Sequence, residues 1–174
     1  MLSVHLVVVH RNRGMTCQET VHRFLQQAEF LDLFALTVTV VDNGSTNEHL
    51  ADLRSGLASR VEIIETGENL GFGPGANIGL NRWLESSSQN QSDVCLLAPH
   101  DARPADRTLE HLIQCFSLHT EAGLACADVG DGQVPRIDPW LGPIGEPQTE
   151  DGDSPSWVLA DYPHGTLMAL RRDC

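Results

Sequence analysis

The chain has no lysine; its 11 basic residues are all arginine. That excludes Schiff-base lysine chemistry and a P-loop lysine. An anionic ligand must be met by arginine, backbone N–H groups or a metal ion. Positive charge is scarce altogether, and the formal net charge of −13 argues against a nucleic-acid surface. No apolar run reaches membrane-spanning length. The start, Met1-Leu2-Ser3-Val4-His5, lacks the basic opening of a signal peptide. The cysteines, Cys17, Cys95, Cys115, Cys126 and Cys174, are odd in number and form no CxxC, so neither a zinc ribbon nor a disulfide framework is indicated. Cys95 and Cys126 sit in apolar runs and read as small core residues. The chain reads as cytoplasmic and reduced.

What is present is the composition of one globular domain: 174 residues, 41% hydrophobic and 20% charged. Apolar, β-branched runs alternate with helical patterns. Val4 to Val9, Leu36 to Val41, Val61 to Ile64 and Val94 to Ala98 read as buried strands, the last apolar on both faces and therefore central. Leu124 to Ala127 reads as a short strand and Thr166 to Leu170 as a last apolar run. Thr16 and Glu19 fit a capping box opening a helix whose core face is Val21, Phe24, Leu25 and Ala28. Later helices are expected to bury Leu50, Leu53 and Leu57, then Ala76, Leu80, Trp83 and Leu84, then Leu109, Leu112, Ile113 and Phe116. Asp128 to Ser156, rich in Gly, Pro and Asp without periodicity, reads as a long mobile excursion with Trp140 and Trp157 placed to pin its ends. Strands alternating with helices predict right-handed βαβ units: an α/β fold, three-layer α/β/α and Rossmann-like, with a mostly parallel sheet.

The loops after these runs then fall at one edge of that sheet. The first apolar run ends in His10-Arg11-Asn12-Arg13, and the second runs into Asp42-Asn43-Gly44-Ser45-Thr46. Asp42 at a strand's carboxyl end stands where open parallel sheets bind ligands; equally, Asp42 and Asn43 can shape a turn and cap the next helix. The third run leads into Asn69-Leu70-Gly71-Phe72-Gly73-Pro74-Gly75, whose glycines allow close backbone approach and whose Pro74 suits a first helical turn. Strand, glycine loop and helix N-terminus bind phosphate, although such a loop can also only pack a helix on a sheet. The fourth run ends in Pro99-His100-Asp101-Ala102-Arg103, where His100 is either a turn residue or, with Asp101, a group reaching a ligand or metal. A second class stays open, because Gly71-x-Gly73-x-x-Ala76 matches a variant dinucleotide fingerprint, against which stands its place after the third strand.

Taken with Asn77-Ile78-Gly79 and Gly165-Thr166-Leu167-Met168 before Arg171-Arg172, these segments resemble, in order and spacing, a family-2 glycosyltransferase of the GT-A fold, in flavour the rhamnosyltransferase-like branch. The resemblance implies binding of a nucleotide-diphosphate sugar, a UDP- or dTDP-sugar, for inverting transfer to a glycan or lipid-linked acceptor in polysaccharide biosynthesis. It implies that Asp42 contacts the base or ribose, that the glycine loop with Asn77 borders the donor, and that Asp101 faces Mg²⁺ or Mn²⁺. The implied donor-binding set is His10, Arg11, Asn12, Asp42, Asn43, Gly44, Gly71, Phe72, Gly73, Asn77 and His100. The metal motif departs from the family by offering one carboxylate only. The acceptor part and catalytic base of the family lie beyond a segment like Arg171-Arg172, so this form is expected to bind donor but transfer poorly, to approach a membrane only through its acceptor, and to self-associate. A non-catalytic nucleotide-binding remnant is the alternative.

Overall fold

A computed structural model describes residues 2–31, 34–57, 61–86, 93–128, 130–147, 157–163 and 165–173. The elements are β1 (Leu2–His10), α1 (Gly14–Leu31), β2 (Phe34–Asp42), α2 (Asn47–Gly56), β3 (Val61–Glu65), α3 (Phe72–Glu85), β4 (Val94–Pro99), α4 (Thr108–Leu118), β5 (Leu124–Cys126), β6 (Gln133–Asp138), β7 (Gly142–Pro147) and β8 (Met168–Arg171). The main sheet has the order β3-β2-β1-β4-β8-β5, and β6 and β7 form a separate pair. β3, β2, β1 and β4 run parallel, as βαβ connections require. β8 is antiparallel to both β4 and β5. The expected mostly parallel α/β sheet is therefore observed. No helix among the described residues is long and apolar enough to cross a membrane.

Alternation along the central strand divides the core. Val4, Leu6 and Val8 of β1 point into the larger cluster with Phe24 of α1, Leu53 of α2 and Leu109 of α4. Val7 and Val9 point the other way, into a smaller cluster with Ala76 and Trp83 of α3 and Cys95 and Leu97 of β4. β4 is buried along nearly its whole length, as a central strand must be. α3 sits close to the sheet because Gly75 and Gly79 face it; a Cβ on Gly79 would overlap Val7 Cγ1 and lie 3.3 Å from Val41 Cγ2. Arg172 clamps the far end of that helix, its guanidinium 4.8 Å over the Trp83 ring.

Several expectations need correction. The helix expected to open with a capping box at Thr16 and Glu19 starts earlier, at Gly14, so both residues lie inside it. β3 is an edge strand that buries only Val61, not a fully buried run. Leu84 points to solvent, because the inward face of α3 runs along Gly75, Ala76, Gly79 and Trp83. Leu57 lies just past the end of α2 and is only partly buried. The excursion expected to lack structure contains the β6–β7 hairpin; residues 148–156 lie outside the described residues. Trp157 packs on the larger core, its ring 6.3 Å from that of His119, but Trp140 is exposed and pins nothing.

Candidate functional site

The parallel register places His10 beside Asp42 at the ends of β1 and β2. His10 Nε2 lies 2.8 Å from Asp42 Oδ1, and the two residues are 1% and 2% exposed. Burial holds the His10 imidazole below its ordinary pKa; Asp42 pulls upward, and His100 and His49 push further down. Its Nδ1 accepts the Arg13 N–H at 3.4 Å, which assigns the ring proton to Nε2. That N–H is shared between Asp42 and Ser45 Oγ, the latter at 3.3 Å. Among the described residues, Asp42 Oδ1 has no donor other than that ring N–H. Asp42 Oδ2 accepts the Ser45 N–H at 3.2 Å. Asp42 thus shapes its own turn through one oxygen and meets only His10 through the other.

Asn12, in the left-handed region at φ 53°, joins the first two loops. Its N–H donates to Ser45 Oγ at 2.8 Å and its Oδ1 accepts the Thr46 N–H at 2.9 Å. Gly44, at φ 72°, lies so close to Glu68 that a Cβ there would overlap backbone. Asn43 then ties the second loop to the glycine loop: its Nδ2 donates to Gly71 O at 2.9 Å and to Asn69 Oδ1 at 3.3 Å, and its Oδ1 accepts the Leu70 N–H at 3.0 Å. This side chain is a clamp inside the protein rather than a group free for ligand. Gly71, at φ 88°, opens α3, and no side chain caps that N-terminus. The first turn, Phe72, Gly73 and Pro74, is exposed, as is Asn77 one turn on. Because the glycine loop follows an edge strand and the loop after the central β1 has no glycine fingerprint, the dinucleotide reading loses its structural context.

The β4 turn is held from α1. The buried Thr20 hydroxyl donates to His100 O at 2.6 Å and approaches Ala102 O at 3.2 Å. His100 is half-buried and Asp101 exposed. Among the described residues no three His, Cys, Asp or Glu side chains gather to hold a metal ion. A lone carboxylate fits a cation only when ligand phosphates bring the remaining oxygens.

The arginines sort by position. Arg23, Arg54, Arg82, Arg107, Arg136 and Arg171 each pair with a carboxylate. Arg11, Arg13 and Arg103, in the loops after the neighbouring strands β1 and β4, form no ion pair among the described residues. Arg11 Nε only approaches Gly44 O at 3.4 Å. Among the described residues, these three arginines leave positive charge without an ion-pair partner at the sheet edge where the loops converge, the edge at which the uncapped α3 also begins. That combination attracts a multiply charged anion.

The sequence brings out the loops but not what holds them. The His10–Asp42 pair depends on strand register, and Thr20 on a contact across 80 positions. The Asn43 clamp had a signal, a buried-type amide beside a glycine loop needing donors and acceptors, which the turn-and-cap reading only touched.

The family described as glycosyl transferase family 2 matches residues 5–172. No curated protein matches the chain. Among solved structures, the mannosyltransferase PcManGT from Pyrobaculum calidifontis, in complex with GDP-Man and Mn²⁺, is 19% identical over 98% of this chain and 44% of its own, with a TM-score of 0.64. Mannosyl-3-phosphoglycerate synthase from Rubrobacter xylanophilus is 19% identical over 75% of this chain and 42% of its own, at 0.54. S. aureus TarS 1-349 is 16% identical over 81% of this chain and 43% of its own, at 0.51. These likenesses establish the GT-A glycosyltransferase fold; the chain spans less than half the length of each.

Proposed function

The chain belongs to glycosyl transferase family 2, and from that premise we propose that its strand-end edge binds a nucleotide-diphosphate sugar for transfer to a glycan or lipid-linked acceptor. The observation that carries the reading is that Arg11, Arg13 and Arg103, without an ion-pair partner among the described residues, share one sheet edge with the uncapped start of α3. Transfer breaks the bond between the anomeric carbon and the diphosphate as the acceptor oxygen bonds that carbon. The departing diphosphate gains charge, which fixed positive groups and N–H dipoles stabilise. In this reading the three arginines and the N–H groups of Phe72 and Gly73 face the diphosphate. Asp42 Oδ1, whose one neighbouring donor among the described residues is the His10 ring, keeps acceptor capacity for a base N–H or ribose hydroxyl. His10 and Asn43 act as positioning residues, holding Asp42 and the glycine loop. A divalent cation, when carried by the diphosphate, supplies further charge neutralisation, and Asp101 is the residue that would meet it.

The likeness to the rhamnosyltransferase-like branch makes dTDP- and UDP-sugars the first donors to test, beside GDP-mannose. Calorimetry with UDP, dTDP and GDP, with Mn²⁺ or EDTA, tests the reading. Binding of at least one diphosphate, weakened when Arg11 and Arg103 are replaced by Gln, is expected. No binding of any of them refutes it. Release of free sugar or glycosylated product separates a transferase from a binding remnant.

A further inference from the structure

The β6–β7 hairpin plays no part in the donor site, yet the sheet roots it there. β5 runs in the direction of β4, since both are antiparallel to β8. Cys126 at the end of β5 faces Met168, which also faces Leu97 near the end of β4. The chain therefore leaves β5 and re-enters β8 at the ligand edge, and the Ala127 N–H to Leu167 O bond, 3.1 Å, closes the two crossings together. Among the described residues between these crossings is the β6–β7 hairpin, which the chain thus joins to the sheet at that edge.

The hairpin is braced. The Ile137 N–H donates to Asp161 Oδ2 at 2.9 Å, the Asp161 N–H to Pro135 O at 3.0 Å, and Arg136 reaches Leu159 O at 2.6 Å. Its tip, Asp138-Pro139-Trp140-Leu141-Gly142, is a fixed turn. Asp138 Oδ1 accepts the N–H groups of both Trp140 and Leu141 at 2.8 Å, and these bonds hold its carboxyl below the usual range. Proline after the Asp and Gly142 at φ 77° suit the geometry. A fixed turn thus presents Trp140 at 93% exposure, beside Leu141 at 78%. A braced turn that holds a tryptophan in water is suited to stacking on a partner with a flat apolar face. Between Asp128 and Asp161 the sequence has eight carboxylates and one arginine. That charge repels phosphate-bearing surfaces, while carboxylates accept hydrogen bonds from hydroxyl groups.

We propose that the β6–β7 hairpin is an acceptor-side arm whose Trp140 stacks on a sugar ring of a neutral carbohydrate acceptor, with Asp138 and its neighbouring carboxylates meeting the hydroxyls. The acceptor role rests on the donor reading above; the saccharide platform itself does not. The test labels the full chain with 5-fluorotryptophan, giving one fluorine signal for each of its 3 tryptophans. Maltotriose, cellotriose and chitotriose are titrated, with phosphatidylcholine vesicles and a Leu-Lys repeat peptide as competing probes. The expected result is a saturable shift of the Trp140 signal with at least one trisaccharide. Trp140→Ala should weaken that affinity about fivefold or more, the order of one stacked ring, and Trp140→Tyr should restore most of it. Nucleotide affinity should not change in Trp140→Ala, whose side chain supports no core. If no trisaccharide moves the Trp140 signal, or if only vesicles or peptide do, the proposal is overturned. Saccharide binding at Trp140 without nucleotide binding anywhere would keep the platform and remove the donor reading.

Discussion

Replacing Asn43 tests whether the glycine loop is held from the second strand. The side chain is 4% exposed and makes three hydrogen bonds to residues 69–71. Typical bonds of this kind contribute about 0.5–1.5 kcal/mol each. The 3.3 Å bond is the weakest, and Leu70 and Gly71 are exposed enough for water to replace part of the loss. Asn43→Ala should therefore cost about 1–3 kcal/mol. If the ligand must re-order the loosened loop, diphosphate affinity falls by up to the same amount, about 5- to 150-fold. Asn43→Asp should be worse than alanine. It keeps an acceptor for the Leu70 N–H, but sets an oxygen against Gly71 O and Asn69 Oδ1 and adds a carboxylate next to Asp42. Urea unfolding, amide exchange at Leu70 and Gly71, and calorimetry with the best-binding diphosphate form the assay. An aspartate variant as stable as wild type, or an alanine variant with unchanged exchange at Leu70, would refute the clamp.

Other perturbations follow the same logic. His5, buried between Thr37 and Thr39, has its pKa pushed down to about 4, first by burial, against the pull of Glu62 and with the push of Arg82 and Arg172. The folded state holds it neutral, so its contribution is full above the unfolded value near 6.5 and is lost as pH falls toward 4, by at most about 3 kcal/mol; denaturation midpoints of His5→Gln should fall less steeply with acid, and parallel curves would refute this. Gly79→Ala should destabilise by roughly 1–2 kcal/mol despite alanine's higher helix propensity, because Val7 and Val41 occupy the space; adding Val7→Ala should recover part of the melting temperature. Asp42→Ala should weaken diphosphate binding by about 1–3 kcal/mol in a chain that still folds, whereas unchanged calorimetry would leave Asp42 only its turn. Asp101→Asn should abolish any Mn²⁺ enhancement of diphosphate affinity, and an enhancement that survives would remove Asp101 from that role.

Much of the frame is written in local patterns. Parallel strands covered on both faces read as continuous apolar runs, so β1, β2 and β4 emerge from composition, and the ends of those runs place their loops on one edge. The edge strand β3 reads as more buried than it is, since four apolar-rich positions do not reveal whether a neighbour lies on both sides. Glycine hides the core face of α3, because hydrophobic periodicity counts side chains while Gly75 and Gly79 contribute by lacking them. The hairpin escaped because Pro135, Pro143 and Pro147 disguise its strands, although Asp-Pro-Trp-Leu-Gly carries the turn chemistry in full. The His10–Asp42 pair and the Thr20 anchor are products of register and tertiary packing, beyond any local pattern.

The central claim is that a nucleotide diphosphate binds where β1, β2 and β4 end and α3 begins. Hydrogen-exchange footprinting with the best-binding diphosphate addresses it directly, because it reports where protection falls without assuming which residue acts. The account predicts protection in residues 10–13, 42–46, 69–75 and 99–103. A groove at the opposite edge of the sheet, lined by Asp93, Ile113, Phe116 and Arg171 among others, offers the contrasting location. Protection there, with none at the four loops, would contradict the account.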